Sequence, residues 1–374
     1  MKLRILMLLP LISVSVASPV SGTSEGWQVQ PAATMAIPRA AHQANLLPTN
    51  EILITGGCSG LSCSPIERTA EIIDTATGKS TQTGKMQEQR VSHISAPLAD
   101  GRVLVAGGWN GAAATASAEI YDRQKNRFQS IGAMPTARMD ATATTLKDGS
   151  VLIVGGAKST NQAIAHAEIF RAPSARFQPV ANLNEARAHH SAVRLQDGRV
   201  LIVGGLKTKN VATRTAEIFD PVTNSFQTTG SMAQARCKHS AVLLRDGRVM
   251  VIAGSADCDE KRRIAETEIF DPKTGKFEAG PKLINPRYKI IGATALLPDG
   301  SVIVAGDAND VEVWKPGQTN FVKTNGSIGK NLAFSVATVL PNGEIIVTGG
   351  YDNDIQATNN TWRIGKKPRL GYRN

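Results

Sequence analysis

Arg187, His189, His190 and Ser191 fall within five residues in the stretch "ARAHHSAVRLQDGRVLIVGG", Ala186 to Gly205. Two imidazoles beside a hydroxyl are the side chains of an activated nucleophile or of a metal site. A neighbouring guanidinium is suited to holding an anion. Which of these the chain uses depends on whether the constellation occurs once or is imposed repeatedly by the fold.

It is imposed repeatedly. Aligning the chain on its hairpin turns puts Arg39, Arg90, Arg138, Arg187, Arg236, Arg287 and Lys330 at one position. His42, His93, His190 and His239 share another, three residues later, and only His189 is private to its unit. A catalytic group is needed once, so residues repeated by internal symmetry are expected to serve the fold. A metal site would need its ligands within about 2.1 Å of one ion, which histidines in separate units do not readily reach. Glu71, Glu119, Glu168, Glu217, Glu268 and Glu312 recur in the same way and are natural partners for the arginines, because buried charge must be paired. Two orientations of the cation ring stay open: toward the central axis, where it would attract an anion, or into the scaffold, tied to those glutamates.

The elements that position these residues repeat with a period near 50. Gly56-Gly57, Gly107-Gly108, Gly155-Gly156, Gly204-Gly205 and Gly349-Gly350 mark it, with "AGS" at Ala253 and "AGD" at Ala305 filling the gaps; the steps are 51, 48, 49, 49, 52 and 44 residues. Each unit holds four β-type segments, a to d, as in "SHISAPL", "GRVLVAGG", "SAEIYD" and "RFQSIGAM". Turns such as "KDG", "QDG" and "PNG" between a and b supply the positive φ of a tight hairpin. The expected fold is therefore all-β, a seven-bladed β-propeller of four-stranded antiparallel blades spanning 27–364. The last unit lacks a d segment, while "GWQVQPAATM" reads as a d segment with no preceding c. An N-terminal outer strand near Trp27 to Gln30 should thus complete the last blade and close the ring.

The recurring "RxxHsAxxLxDGRVLVxGG…AEIFDPxTxxF" pattern resembles the kelch repeat over about residues 27 to 364. Kelch repeats usually carry Trp in strand d, where this chain has Phe128, Phe177, Phe226, Phe277 and Phe321, a conservative departure for a space-filling aromatic. The resemblance implies a structural role for the repeated arginine. It also implies two enzymatic precedents. Galactose-oxidase-like proteins need tyrosines, histidines and a cysteine linked to a tyrosine around copper; this chain has four tyrosines, one of them Tyr121 at a repeated position, and its cysteines are better used in disulfides. Periplasmic sialic acid mutarotases resemble it as exported propellers acting on an acidic sugar, with Arg187 or Arg236 available for the carboxylate, but that family is six-bladed and no unique Glu-His pair stands out here.

"MKLRILMLLPLISVSVAS" has the cations, apolar run and small residues of a secretory signal over 1–17, followed by a linker over 18–26. No later apolar run approaches the roughly 18 residues of a membrane span. A secreted or periplasmic location follows as an expectation, and with it two disulfides: Cys58 with Cys63 inside one short loop, and Cys237 with Cys258, which the strand order brings together. Without Lys2 and Arg4 the formal charge of +11 becomes +9, four of it in the basic tail 365–374.

Antiparallel order puts the b-c loops and the d-a connections on one face, where the loops differ between blades. Variable loops on a rigid scaffold are where binding resides. Loops of blades 3 to 5 carry Lys158, Lys207, Lys209, Arg214, Lys261, Arg262 and Arg263, and other b-c loops contribute Trp109 and Tyr351 as stacking surfaces. The expectation is a monomeric binding module for an anionic protein or polysaccharide, with no cofactor, no metal and no nucleic-acid partner; no P-loop, zinc spacing or nucleophile elbow is present.

Overall fold

The computed structural model describes residues 26–366. The expected signal, nearly all of the linker and the tail beyond Lys366 lie outside the described residues; Gly365 and Lys366 belong to a strand. Seven four-stranded antiparallel sheets form the blades. Blade 1 has strands a to d at Gln43–Leu46, Glu51–Thr55, Ala70–Asp74 and Ser80–Gln82. Blade 4 has them at Ser191–Arg194, Val200–Val203, Ala216–Asp220 and Ser225–Thr228. Blade 7 takes a, b and c from Val336–Val339, Ile345–Thr348 and Thr361–Lys366, and its strand d is Trp27–Pro31, paired Val29 to Ile364.

Strands b and c are sandwiched between neighbouring blades, which is why runs such as "VLIV" are buried along their whole length and do not alternate. Adjacent blades share their cores: Leu53 and Ile72 of blade 1 pack with Val103, Val105, Tyr121 and Phe128 of blade 2. Aromatic pairs between strands c and d, such as Phe219 with Phe226 at 4.9 Å between ring centroids, finish the outer edges of blades 2 to 5.

The paired glycines make the seams. Gly205 donates from its backbone nitrogen to the carbonyl of Arg236 in the next blade, 2.8 Å away. A Cβ on Gly204 would stand 2.6 Å from His239 Cε1 and 2.7 Å from that same carbonyl, and both glycines have positive φ. Ala253 takes the first glycine's place where the following blade has Ile290 in place of a histidine, which removes the imidazole from its surroundings.

Blade 6 departs from the repeat. The arginine side chain bonds a carbonyl 17 residues ahead in blades 1 to 5 but 19 ahead in blade 6, from Arg287 to Gly306. Two extra residues near Ile291 and Gly292 account for the difference. The glycine pair of this blade is therefore Gly306-Asp307, not Ala305-Gly306 as the sequence spacing suggested.

Candidate functional site at the channel mouth

The cation ring does not face the axis. Arg39, Arg90, Arg138, Arg187, Arg236 and Arg287 are at most 1% exposed. Each is paired with the glutamate of its own strand c: Arg39 with Glu71 at 2.9 Å, Arg90 with Glu119 at 2.8 Å, Arg138 with Glu168, Arg187 with Glu217 at 3.0 Å, Arg236 with Glu268 and Arg287 with Glu312 at 2.8 Å. Their remaining donors are spent on backbone carbonyls such as Gly204 O and Thr215 O. The Nε atoms of Arg90 and Arg236 have no partner but are buried, so the ring offers no exposed donor to a ligand. The seventh member is also corrected: Lys330 is exposed and bound to Asp352 at 2.6 Å, and the arginine position of blade 7 belongs to buried Leu332. Its carbonyl accepts from Asp307 as the arginine carbonyls accept from the second glycines.

Two residues beyond each of those positions the chain turns at the axis. Ala41, Ser92, Asp140, His189, Lys238, Lys289 and Phe334 all have φ between 49° and 56°. Their backbones form a hydrogen-bonded belt around the channel: Ser92 N to Ala41 O, Asp140 N to Ser92 O, His189 N to Asp140 O, Lys238 N to His189 O, Phe334 N to Lys289 O and Ala41 N to Phe334 O, at 2.9 to 3.3 Å. Ile290 N supplies the link to Lys238 O. Left-handed backbone at non-glycine residues costs on the order of 1 kcal/mol each, so the belt is held by the surrounding structure. The scaffold fixes this main-chain position in every blade and leaves its side chain different in nearly all of them.

That difference builds a site. A cavity of about 360 Å³ opens above the belt, lined by Asp140, His189, Lys238, Lys207, Cys258 and Asp259 among others. A smaller space of about 100 Å³ in the channel shares Asp140 and His189 with it. One wall is made by two short hairpins, Ala157–Ser159 with Gln162–Ala163 and Leu206–Lys207 with Val211–Ala212, joined by Asn210 Nδ2 to Asn161 Oδ1 at 2.8 Å. The opposite wall is the loop stapled by the Cys237–Cys258 disulfide. The Cys58–Cys63 disulfide is also present.

Within the cavity, His189 Nδ1 lies 3.4 Å from Asp140 Oδ1 and has no hydrogen-bond partner. Burial, outweighing the pull of Asp140, pushes the imidazole down to about 4, so it is neutral at physiological pH. Lys238 Nζ donates to the Tyr288 hydroxyl at 2.9 Å, which donates to Cys258 O at 2.5 Å. Burial and then the charge of Lys289 bring Lys238 down to about 8. Lys289 lies over the rings of both Tyr288 and Tyr351, 4.9 and 5.3 Å from their centroids. Asp307, at the glycine position of blade 6, accepts from Tyr288 N at 2.6 Å and faces Arg263 at 3.2 Å; burial raises it to about 6.

Of the loop residues singled out in the sequence, Tyr351 stands at the mouth against Phe334, Lys207 lines the cavity while bound to Glu185, and Arg263 pairs with Asp307. Lys209, Arg214 and Arg262 are exposed on the rim with Lys158 and Lys261, and none of the five has a carboxylate partner among the described residues. Trp109 is half-buried against Met139, Ala157 and Ala188, and is part of the scaffold under the loops. Asp140, Lys238, Tyr288, Lys289 and Phe334 were not singled out. The signal for the belt members lies in the third column of "RMDA", "RCKH", "RYKI" and "LAFS", which varies where its neighbours repeat.

The Kelch motif is matched at residues 90–135 and 187–233, which fall on blades 2 and 4. These matches and the seven blades together support a kelch-repeat β-propeller. Among solved structures it is similar to one described as a novel fungal alcohol oxidase with catalytic diversity among the AA5 family, in complex with copper; the TM-score is 0.73 at 16% identity, over 91% of this chain and 76% of that one. That likeness is one of fold. No curated protein matches the chain. The copper belongs to the oxidase: here all four cysteines are in disulfides, and among the described residues no group of three or more His, Cys, Asp or Glu side chains is placed around a common point.

Proposed function

We propose that this propeller is a monomeric binding module outside the cytoplasm that takes an anionic protein or polysaccharide on the face carrying the b-c loops. The carrying observation is that the repeat gives way there to a cavity ringed by side chains of different chemistry, under a rim of unpaired cations. Two disulfides, and the absence of a helix long and apolar enough to cross a membrane among the described residues, are consistent with an extracellular setting. Replacing Lys209, Arg214 and Arg262 together by glutamate should cut retention on immobilised anionic polysaccharide at least about tenfold, and retention by the unmodified chain should fall with salt. Unchanged retention after charge reversal would remove this reading.

One observation favours a second, enzymatic reading. Asp140, His189 and Lys238 share one cavity, with Tyr288 hydrogen-bonded to Lys238 behind it, and could supply the acid and base of a sugar ring opening. In that reading Lys238 and Lys289, not Arg187 or Arg236, would meet a carboxylate.

A further inference from the structure

We propose that Lys238, in the cavity at the channel mouth, forms a reversible imine with a small α-keto acid whose carboxylate is held by Lys289, which meets Lys238 at the Tyr288 ring beside that cavity. This rests on the reading of that mouth as a ligand site.

Lys238 starts from a fixed point, since its backbone nitrogen is bound to His189 O and its carbonyl to Ile290 N. Its side chain is directed to a phenol, not to a carboxylate. Because the Tyr288 hydroxyl spends its proton on Cys258 O, it presents a lone pair to the amine. No carboxylate lies within ion-pair distance of Lys238 among the described residues, whereas Lys207 has Glu185 and Lys289 has Glu260. Both lysines contact the same ring, Lys238 at 5.2 Å and Lys289 at 4.9 Å from its centroid. Desolvation together with a second cation is the environment that leaves a lysine amine neutral and nucleophilic, and the lowered pKa of Lys238 agrees with it.

The amine nitrogen attacks the keto carbon, and the carbonyl electron pair moves onto oxygen, which takes a proton to give a carbinolamine. The nitrogen lone pair then forms the C=N bond as hydroxide leaves, protonated to water. Amine and ketone become imine and water, both N–H hydrogens leaving with the oxygen. His189, with its unpartnered Nδ1 beside Asp140, lines the same cavity and can relay those protons. Lys289 favours a keto acid over a neutral carbonyl compound, because its contact with Glu260 is a loose 3.4 Å and that glutamate is largely exposed.

The test uses the full, disulfide-intact chain with pyruvate as probe and cyanoborohydride as trap, followed by peptide mass mapping. A reduced adduct on the Lys238 peptide, at least about tenfold above any other lysine, is expected. Lys238→Arg should abolish it, and Lys289→Gln should weaken trapping of pyruvate but not of propanal. Mapping of the unmodified chain decides the matter even if a variant fails to fold. Adducts spread over lysines by exposure would overturn the imine. Lactate, which has the same shape without the ketone, separates the two readings by NMR: lactate binding without pyruvate trapping at Lys238 refutes the imine and leaves the mouth as an anion site. Neither binding nor trapping refutes the imine and removes the mouth as a site for small anions.

Discussion

A buried guanidinium and carboxylate are stable as a pair and costly as single charges, and the chain contains its own control. Blades 1 to 6 bury an arginine with a glutamate, whereas in blade 7 the same two positions hold Leu332 and Trp362, which meet in one apolar cluster. Both charges are absent together there. Arg187→Leu alone should cost about 3–5 kcal/mol, since it strands Glu217 among the backbone nitrogens of Asn184 and Glu185 with no counter-charge. Arg187→Leu with Glu217→Met should return to within about 2 kcal/mol of the parent in denaturant unfolding. A double variant as unstable as the single one would mean that the arginine acts through its bonds to Gly204 O and Thr215 O, independently of its charge partner.

Strands and turns follow from the repeat because each unit must solve the same packing problem, and so the blade count, the hairpins and the N-terminal closing strand were legible in the sequence. The glycine pair was legible for the same reason. Gly204→Ala should cost about 1–3 kcal/mol by pressing a Cβ against His239 and the Arg236 carbonyl across the seam, while Gly132→Ala, with nothing within 4 Å of its Cβ, should be neutral; thermal unfolding compares them. Equal midpoints would show that the seam can open without loss. What the repeat hid was the mouth. Asp140, Lys238 and Lys289 look like loop residues in a one-dimensional reading, and only the belt of left-handed turns brings them to one axis. Lys330 and Ala305 were misplaced because look-alikes stand beside the true positions: a lysine two residues before Leu332, and an "AGD" that imitates the "AGS" of blade 5 one residue early.

Closing seven seams into one ring makes the molecule respond as a unit to any change that occurs in several of them. His42, His93 and His190 cross seams to Thr348, Thr55 and Thr142 of the preceding blades at 2.8 to 3.0 Å, and His239 is equally buried. Burial, and then the adjacent repeat arginines, hold all four imidazoles down, His42 and His239 to about 3. The unfolded chain binds protons at these histidines below about 6.5 and the folded chain does not until far lower, so stability must fall as pH drops through that window. At pH 5 each histidine contributes about 2 kcal/mol toward unfolding, and four together approach the whole stability of an ordinary domain. Urea unfolding followed by circular dichroism should therefore show a steep loss between pH 7 and pH 5. His93→Gln, which keeps a hydrogen-bonding side chain for Thr55 but cannot take a proton, should reduce that loss by about 2 kcal/mol. A parent protein equally stable at both pH values would mean that the seams admit protons without opening, and the ring would not be the cooperative unit inferred from its geometry.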